Sequence, residues 1–213
     1  MYQDRIDAGF VLAKALQKYT PEDCVVLGVP RGGVPVAWVV ASELGFPLDI
    51  LLTKKIGHPM NKEYAIGAVS LSDRFIVPHS DVSQEYIDEE TERIRKRLRE
   101  MYQKFTGGNT PLPLTGKTVI IIDDGIATGN TLMSTIGMLR KENPAKIVIA
   151  VPVAPESSIE RITPLVDELI CPMVPELFFG VGGFYEDFQQ VSDEEVMQYM
   201  IKAGVLKKPA GNT

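Results

Sequence analysis

Short apolar runs alternate along the chain with longer segments of mixed character. The runs at 24–29, 118–123 and 146–151 are continuous and rich in Val and Ile, which is typical of parallel strands buried on both faces. Two shorter runs, at 47–52 and 168–171, predict further strands. The pattern therefore predicts a sheet whose inner strands are covered from both sides.

The segments between these runs predict helices. Residues 5–18 place apolar side chains on one helical face, and 34–44, 130–142 and 157–165 also predict helices. Strands that alternate with helices predict an α/β fold with a mainly parallel, twisted sheet flanked by helices. Ligands bind such sheets at the carboxyl ends of the strands. The two most unusual loops, after residues 29 and 122, both follow predicted strands.

Three further segments complete the outline. Residues 83–105 predict a long charged helix whose apolar side chains recur at spacings of three and four. That apolar stripe packs either on its own domain or on a second subunit. The sequence therefore leaves both a monomer and a homodimer as alternatives. Residues 65–71 and 74–77 predict a hairpin. Ser192, followed three positions later by Glu195, is a capping-box pattern that predicts the start of the last helix.

Length, composition and charge exclude several classes of protein. The 213 residues suit a single domain, 1–213, and the net charge of -6 argues against a nucleic-acid binder, which normally carries a basic excess. Cys24 and Cys171 lack metal-ligand spacing, so we expect reduced thiols. No run is long enough to span a membrane, and the first residues do not resemble a signal peptide, so we expect a cytoplasmic protein.

The segment from Val119 to Thr131, VIIIDDGIATGNT, carries the strongest chemical signal. Asp123 and Asp124 follow a buried strand, where two adjacent carboxylates need polar or cationic partners such as the hydroxyls of a ribose. The glycines permit tight turns that aim successive N–H groups at one centre, and the following helix N-terminus favours an anion. The predicted site residues of this segment are Asp123, Asp124, Gly125, Ala127, Thr128, Gly129, Asn130 and Thr131.

This segment resembles the phosphoribosyl-pyrophosphate signature of type I phosphoribosyltransferases, and the resemblance extends over nearly the whole chain. It implies the fold of that family, with a small hood contributed by about 152–192 and the charged helix at 83–105 as an insertion. By this resemblance, Asp123 and Asp124 bind the ribose hydroxyls, and 127–131 wrap the 5-phosphate. The overall arrangement is most similar to bacterial phosphoribosyltransferases of unassigned substrate.

Two other segments fit the resemblance. VPRGGVPVA (29–37) resembles the family's pyrophosphate loop, in which Arg31 offers forked donors and Gly32 and Gly33 allow close approach. In that loop a cis peptide often precedes the residue that Arg31 matches, so we expect a cis bond between Pro30 and Arg31. The segment 53–69 resembles the family's mobile catalytic loop, with Lys54 and Lys55 as candidates to neutralise the leaving pyrophosphate; a solvated strand end is the alternative.

The aromatic segment 174–196 resembles the hood that selects the acceptor in 6-oxopurine transferases, with Phe178, Phe179 and Tyr185 as candidates to stack on a base. Core packing is the alternative. Phe184 stands where those enzymes have an Asp, Ala127 stands where they have a proposed general base, and the stretch 151–175 contains no Lys. We therefore expect that a 6-oxopurine is not the acceptor.

The resemblance implies transfer of the 5-phosphoribosyl group from phosphoribosyl pyrophosphate to a small nitrogenous acceptor, a nucleobase or a related nucleophile, with release of pyrophosphate. Mg²⁺ is the expected cofactor, held mainly through ligand oxygens and water rather than directly by the protein. The expected catalytic residues are Asp123, Asp124, Arg31 and Lys55. The alternative is a non-catalytic sensor of phosphoribosyl pyrophosphate or a nucleotide on the same fold.

Overall fold

The computed structural model describes residues 1–207, and residues 208–213 lie outside the described part of the chain. Within it the strands are β1 (Cys24–Gly28), β2 (Leu48–Ile50), β3 (Thr53–His58), β4 (Asn61–Ser70), β5 (Arg74–Ile76), β6 (Thr118–Ile122), β7 (Lys146–Ala150) and β8 (Glu168–Ile170). The helices are α1 (Arg5–Leu16), α2 (Gly33–Leu44), α3 (Gln84–Thr106), α4 (Asn130–Arg140), α5 (Glu156–Ile162) and α6 (Asp193–Lys202). The predicted helices and strands occur in the predicted order, and β3 is a further strand that the sequence does not predict.

Five strands form a parallel sheet in the order β2-β1-β6-β7-β8. The chain runs from β1 outward to β2 on one side, and from β6 outward to β7 and β8 on the other. The boundary between β1 and β6 is therefore a topological switch point, where the loops that leave the two strands diverge and open a crevice. The register pairs Gly28 with Ile122, so both strands end at the same level.

Alternate side chains of the inner strands enter two separate cores, which is why these strands read as continuous apolar runs. Val26 and Ile120 pack on the face covered by α1, α2, α3 and α6. Val25 and Ile121 pack on the opposite face, under α4 and α5. Helices on both faces of the sheet confirm the predicted fold class.

The segment expected to be a mobile catalytic loop is mostly paired strand. β3 and β4 form an antiparallel hairpin, and β5 adds to β4 as the third strand of a small sheet. Ile56 and Ile66 are fully buried in the same core as Ile94 of α3. The hairpin therefore has an apolar anchor of its own, which a freely moving loop would lack. The second hairpin, β4–β5, is the one that the sequence predicts.

The apolar stripe of α3 is covered by its own chain. Ile87, Ile94, Leu98 and Phe105 are buried in the main core, which also includes residues of α6. This agrees with packing on the parent domain, and a homodimer stays a prediction without support from the stripe. The last helix begins as predicted, because Ser192 and Glu195 form a complete capping box.

The N-terminus packs on the segment at about 152–192 that the family resemblance predicts to be the hood. Tyr2 forms a parallel bridge with Tyr185, and its hydroxyl donates to the carbonyl of Pro152 at 2.8 Å. Their rings pack with Val153 and with half-buried Phe184 and Phe188 in a third, smaller core. No helix among residues 1–207 combines the length and apolar composition needed to cross a bilayer.

Candidate functional site

The acidic pair lies at the end of β6, directly against the loop that follows β1. A Cβ added to Gly32 would lie 1.9 Å from Oδ2 of Asp124, and one added to Gly33 would lie 2.6 Å from the carbonyl oxygen of Ile122. The clash with backbone atoms makes Gly33 a position that requires glycine, whereas a side chain at position 32 would displace the carboxylate of Asp124. The two motifs that the sequence places far apart are therefore in direct contact.

Arg31 lies at the tip of this glycine loop. The peptide bond between Pro30 and Arg31 is cis, as the family resemblance leads us to expect. The side chain is 45% exposed, and its Nε lies 3.1 Å from Oδ1 of Asp193 at the start of α6. A weaker hydrogen bond of 3.4 Å runs from Nη1 to the carbonyl of Val191. The guanidinium therefore lies at the rim of the crevice, held by a surface ion pair of the kind that contributes little stability.

Arg5 is a charged residue of the site that sequence patterns do not reveal. Its Nε and Nη2 lie 2.9 Å and 2.8 Å from Oδ2 of Asp124, and its Nη1 donates to the carbonyl of Gln189 at 2.8 Å. The guanidinium carbon is 3.9 Å from the ring centre of Phe188. The side chains of Arg5 and Asp124 are only 11% and 15% exposed. A largely desolvated ion pair thus closes one side of the acidic pair.

Burial sets the electrostatics of the two carboxyls. Burial and the neighbouring charge of Asp124 raise the pKa of Asp123 well above its ordinary value. Burial also raises the pKa of Asp124, but the Arg5 guanidinium offsets part of this effect. Two adjacent carboxyls resist simultaneous ionisation. The pair is therefore primed to gain from a ligand that donates hydrogen bonds or brings a cation.

The loop after the acidic pair ends in an open helix N-terminus. Gly129, the N-cap of α4, has φ +68°, a left-handed conformation that favours glycine, and no described side chain caps this end of the helix. Ala127, Thr128, Asn130 and Thr131 are exposed around it. Uncapped N–H groups at a helix start form an anion site.

Helix α5 supports this loop from behind. The hydroxyl of Ser158 donates to the carbonyl of Ala127 at 2.7 Å. Arg161 donates to the side-chain oxygen of Asn130 at 2.8 Å. Gly125 allows a further close approach, because a Cβ there would lie 2.6 Å from Cγ1 of Val181 in the hood. The loop is thus held on two sides, and Arg161 adds a positive charge beside the expected phosphate position.

A cleft of about 510 Å³ opens between the glycine loop and the hood. Its lining brings together three of the predicted segments, 29–37, 119–131 and 174–196, and the unpredicted Arg5. The lining residues are Arg5, Arg31, Gly32, Asp124, Val181, Phe188, Gln190 and Val191. This volume is within the range of small-molecule sites.

Two predicted site residues, Lys54 and Lys55, lie on the small sheet. Both are exposed on β3, and Nζ of Lys55 pairs with Glu63 of β4 at 2.9 Å. Neither lines the cleft. Their predicted role at the leaving group therefore requires the hairpin to adopt another position, and it remains a prediction.

The three predicted base-stacking residues have different surroundings. Tyr185 is buried, packs between Tyr2 and Phe188, and donates from its hydroxyl to the carbonyl of Asp124 at 2.6 Å. Its ring thus has no free face for a base, and it braces the acidic pair instead. Phe178 is half-buried and stacks on Phe184 at 5.6 Å. Phe179 is 94% exposed and remains the freest candidate.

A parallel sheet with its glycine loop, acidic pair and open helix N-terminus at one switch point defines a ligand-binding domain of the doubly wound α/β class. The family model described as "Phosphoribosyl transferase domain" matches residues 3–189. The chain belongs to this phosphoribosyl transferase domain family.

The chain is also similar to individual relatives over different lengths. The crystal structure of TT1426 from Thermus thermophilus is 36% identical and covers 95% of this chain and 98% of its own, with a TM-score of 0.85. Rv0571c of Mycobacterium tuberculosis (strain H37Rv), which its name describes as a phosphoribosyl transferase, is 38% identical over 208 residues, or 95% of this chain. A ribose-phosphate pyrophosphokinase of Pyrococcus furiosus is 29% identical over 124 residues, which cover 57% of this chain and 44% of that protein.

The matched region spans only 47% of the length of the mycobacterial protein. The similarity therefore concerns about half of that relative.

Proposed function

We propose that this domain transfers the 5-phosphoribosyl group from phosphoribosyl pyrophosphate to a small nitrogenous acceptor, with release of pyrophosphate. The observation that carries the proposal is the contact between the acidic pair and the glycine loop at the β1–β6 switch point. That contact brings the carboxylate pair against a loop of bare backbone, and the chain after the pair leads directly to the open N-terminus of α4. Family membership supports the same reaction class.

Each part of the ligand has a matching protein surface under this proposal. The 5-phosphate binds the N–H groups from Ala127 to Thr131 at the start of α4, next to Arg161. The ribose hydroxyls donate hydrogen bonds to Asp123 and Asp124. The pyrophosphate lies along Gly32 and Gly33, where Arg31 turns from Asp193 toward the phosphate oxygens. Charge-assisted bonds of this kind contribute about 1.5–3 kcal/mol each.

The reaction forms a bond between an acceptor nitrogen and C1 of the ribose and breaks the bond from C1 to pyrophosphate. The pyrophosphate leaves with the electron pair of that bond, and the proton that the acceptor nitrogen loses passes to the pyrophosphate or to water. Positive charge develops on the sugar as the pyrophosphate leaves. The carboxylates of Asp123 and Asp124 stabilise that charge, and Arg31 stabilises the negative charge on the departing oxygens. Positioning and electrostatics therefore supply most of the catalysis.

Mg²⁺ is proposed as the cofactor because the pyrophosphate and the acidic pair offer oxygen donors, which this ion prefers. Among residues 1–207, no group of three or more His, Cys, Asp or Glu side chains could hold a metal ion. Asp123, which Arg5 does not hold, would accept hydrogen bonds from the water around a hydrated cation. When bound, Mg²⁺ would neutralise charge on the pyrophosphate, held by ligand oxygens and water. A cytoplasmic location, and the absence of nucleic-acid partners, remain predictions.

The decisive experiment incubates the protein with phosphoribosyl pyrophosphate, Mg²⁺ and a panel of nucleobases and amines, and measures pyrophosphate release. The double variant Asp123→Asn with Asp124→Asn serves as the negative control. Calorimetry measures the affinity of both proteins for phosphoribosyl pyrophosphate. We expect acceptor-dependent release from the wild type, and at least about ten-fold weaker binding by the double variant. Unchanged affinity in that variant would refute the assignment of the site.

A sensor of phosphoribosyl pyrophosphate is the second candidate function. The position of Lys55, paired with Glu63 and outside the cleft, favours it, because a catalytic loop should bring a cation to the leaving group. Tight binding without turnover of any acceptor would identify a sensor.

A further inference from the structure

Arg5 faces Asp124 from outside the three motifs that define the site. It begins helix α1, whose N-cap Asp4 accepts hydrogen bonds from the backbone of Ile6 and Asp7. Tyr2, three positions earlier, is bridged to Tyr185 of the hood. The start of α1 is therefore fixed both by its own cap and by the hood, so the Arg5 side chain leaves from a well-anchored backbone.

The contact between Arg5 and Asp124 is selective for one carboxylate oxygen. Nε and Nη2 of Arg5 both lie within 2.9 Å of Oδ2. Arg5 makes no hydrogen bond to the other oxygen, Oδ1. Arg5 thus orients the carboxylate without occupying its second oxygen.

Arg5 is also immobilised on its remaining sides. Nη1 donates to the carbonyl of Gln189, and the guanidinium lies over the ring of Phe188. A side chain held by a carboxylate, a carbonyl and an aromatic ring has already lost the rotamer freedom that binding would otherwise remove. Such preorganisation strengthens binding without any new contact to the ligand.

We infer that Arg5 is a positioning residue, which holds Asp124 in the orientation that receives a ribose hydroxyl. The inference rests on the proposed function, because it takes Asp124 as a ribose-binding residue. The N-terminal segment then belongs to the substrate site as well as to the hood. Arg5 acts through Asp124 and contributes to the sugar half of the ligand, whereas the glycine loop serves the pyrophosphate half.

The competing roles for Arg5 predict different results. If Arg5 only stabilises the fold, its loss weakens every ligand equally. If Arg5 blocks the site by occupying Asp124, its loss strengthens binding. If Arg5 positions Asp124, its loss weakens ligands that contain ribose and spares inorganic pyrophosphate, which has no hydroxyl for Asp124 to bind.

The test uses calorimetry in the presence of Mg²⁺ with three probes: phosphoribosyl pyrophosphate, ribose 5-phosphate and inorganic pyrophosphate. The variants are Arg5→Met and Arg5→Lys, and the control is Arg93→Met, which removes an exposed arginine paired with Glu90 on α3. We expect Arg5→Met to weaken both ribose ligands about ten-fold or more and to leave pyrophosphate affinity unchanged. Arg5→Lys, which keeps the charge but loses the fork, should fall between wild type and Arg5→Met, and it carries the test if Arg5→Met does not fold.

A double-mutant cycle isolates the coupling between the two residues. Because Arg5 acts through Asp124, Arg5→Met combined with Asp124→Asn should bind ribose ligands no more weakly than Asp124→Asn alone. Additive losses, equal losses for all three probes, or unchanged or tighter binding in Arg5→Met would each overturn the inference. Failure of the wild type to bind phosphoribosyl pyrophosphate would instead overturn the proposed function.

Discussion

The carboxylate of Asp124 lies so close to the Cα of Gly32 that a single methyl group there would approach its Oδ2 to 1.9 Å. Gly32 has ordinary helical backbone angles, with φ -64° and ψ -31°, so nothing except this contact prevents a side chain. The pair fixes the distance between the loop after β1 and the end of β6. It also provides a steric test of the site.

We expect Gly32→Ala to displace either Asp124 or the glycine loop and to reduce affinity for phosphoribosyl pyrophosphate. Overpacking of this kind typically costs about 1–3 kcal/mol of stability as well. The control is Gly137→Ala on α4, where an added Cβ meets nothing within 4 Å and where alanine favours the helix. Calorimetry and thermal unfolding of both variants check the prediction. Wild-type affinity in Gly32→Ala would show that the contact does not matter for binding.

The raised pKa of Asp123 predicts a pH-dependent stability change. A carboxyl whose pKa is raised in the folded state holds its proton more firmly there, so the folded state is destabilised as pH rises from the ordinary pKa through the raised one. Above that range Asp123 is charged and buried, and Asp123→Asn should have a higher Tm than wild type. Below the ordinary carboxyl pKa, Asp123 is protonated and neutral, as the Asn side chain is at every pH. The Tm values of wild type and Asp123→Asn should therefore converge there.

Thermal unfolding in matched buffers from acid to neutral pH measures this difference. Glu89→Asn provides a control on α3, at a position where the side chain is exposed. Its Tm difference from wild type should lack the rise toward neutral pH. A Tm of Asp123→Asn at or below that of wild type at neutral pH would contradict the prediction.

The open start of α4 predicts an anion site in crystals. Soaking with sulfate or ribose 5-phosphate should place one tetrahedral group against the backbone of Ala127 to Thr131, with Arg161 adjacent. Arg161→Met should weaken ribose 5-phosphate binding, because it removes a charge beside that group. A crystal in which ligand occupies other positions but not the backbone of Ala127 to Thr131 would contradict the assignment of this loop as the phosphate site.

The chemistry of the hood predicts which acceptors are poor. Residues 151–175 contain no Lys, and position 127 is Ala, so the residues that 6-oxopurine enzymes use have no counterpart at these positions. A site that reads an oxygen through a buried donor discriminates by about 10⁴ or more, and a site without that donor gains nothing from the oxygen. Hypoxanthine and guanine should therefore turn over slowly in steady-state assays. Efficient turnover of either purine would restore the 6-oxopurine assignment.

The sequence predicts those parts of the site that are continuous in the chain. The strand, acidic pair, glycine turn and helix start are contiguous from Val119 to Thr131, so local geometry alone brings them together. The glycine loop is equally local, and the topology of the sheet then places it beside the acids. The cis bond before Arg31 follows from the family resemblance rather than from any local pattern.

The rest of the site depends on contacts between distant residues. Arg5 and Asp124 are 119 positions apart, and Arg5 by itself reads as an ordinary charged residue at the start of a helix. Tyr185 lies in a segment rich in Gly and aromatic residues, where composition cannot distinguish a core ring from one that stacks on a ligand. The β3–β4 hairpin is hard to recognise in the sequence because a register shift between Ile56 and His58 interrupts its alternation.

The pairing of β1 with β6 has a consequence for biosynthesis. Two hairpins and the whole of α3 separate these strands along the chain, and the cleft takes its glycine loop from the end of β1 and Asp124 from the end of β6. While the chain emerges from the ribosome, β1 and β2 are synthesised before Asp123 and Asp124. The pocket can therefore assemble only after the later half of the domain has been made. Ligand binding by a nascent chain would therefore report that folding is complete, because every shorter chain would lack the pocket and would not bind.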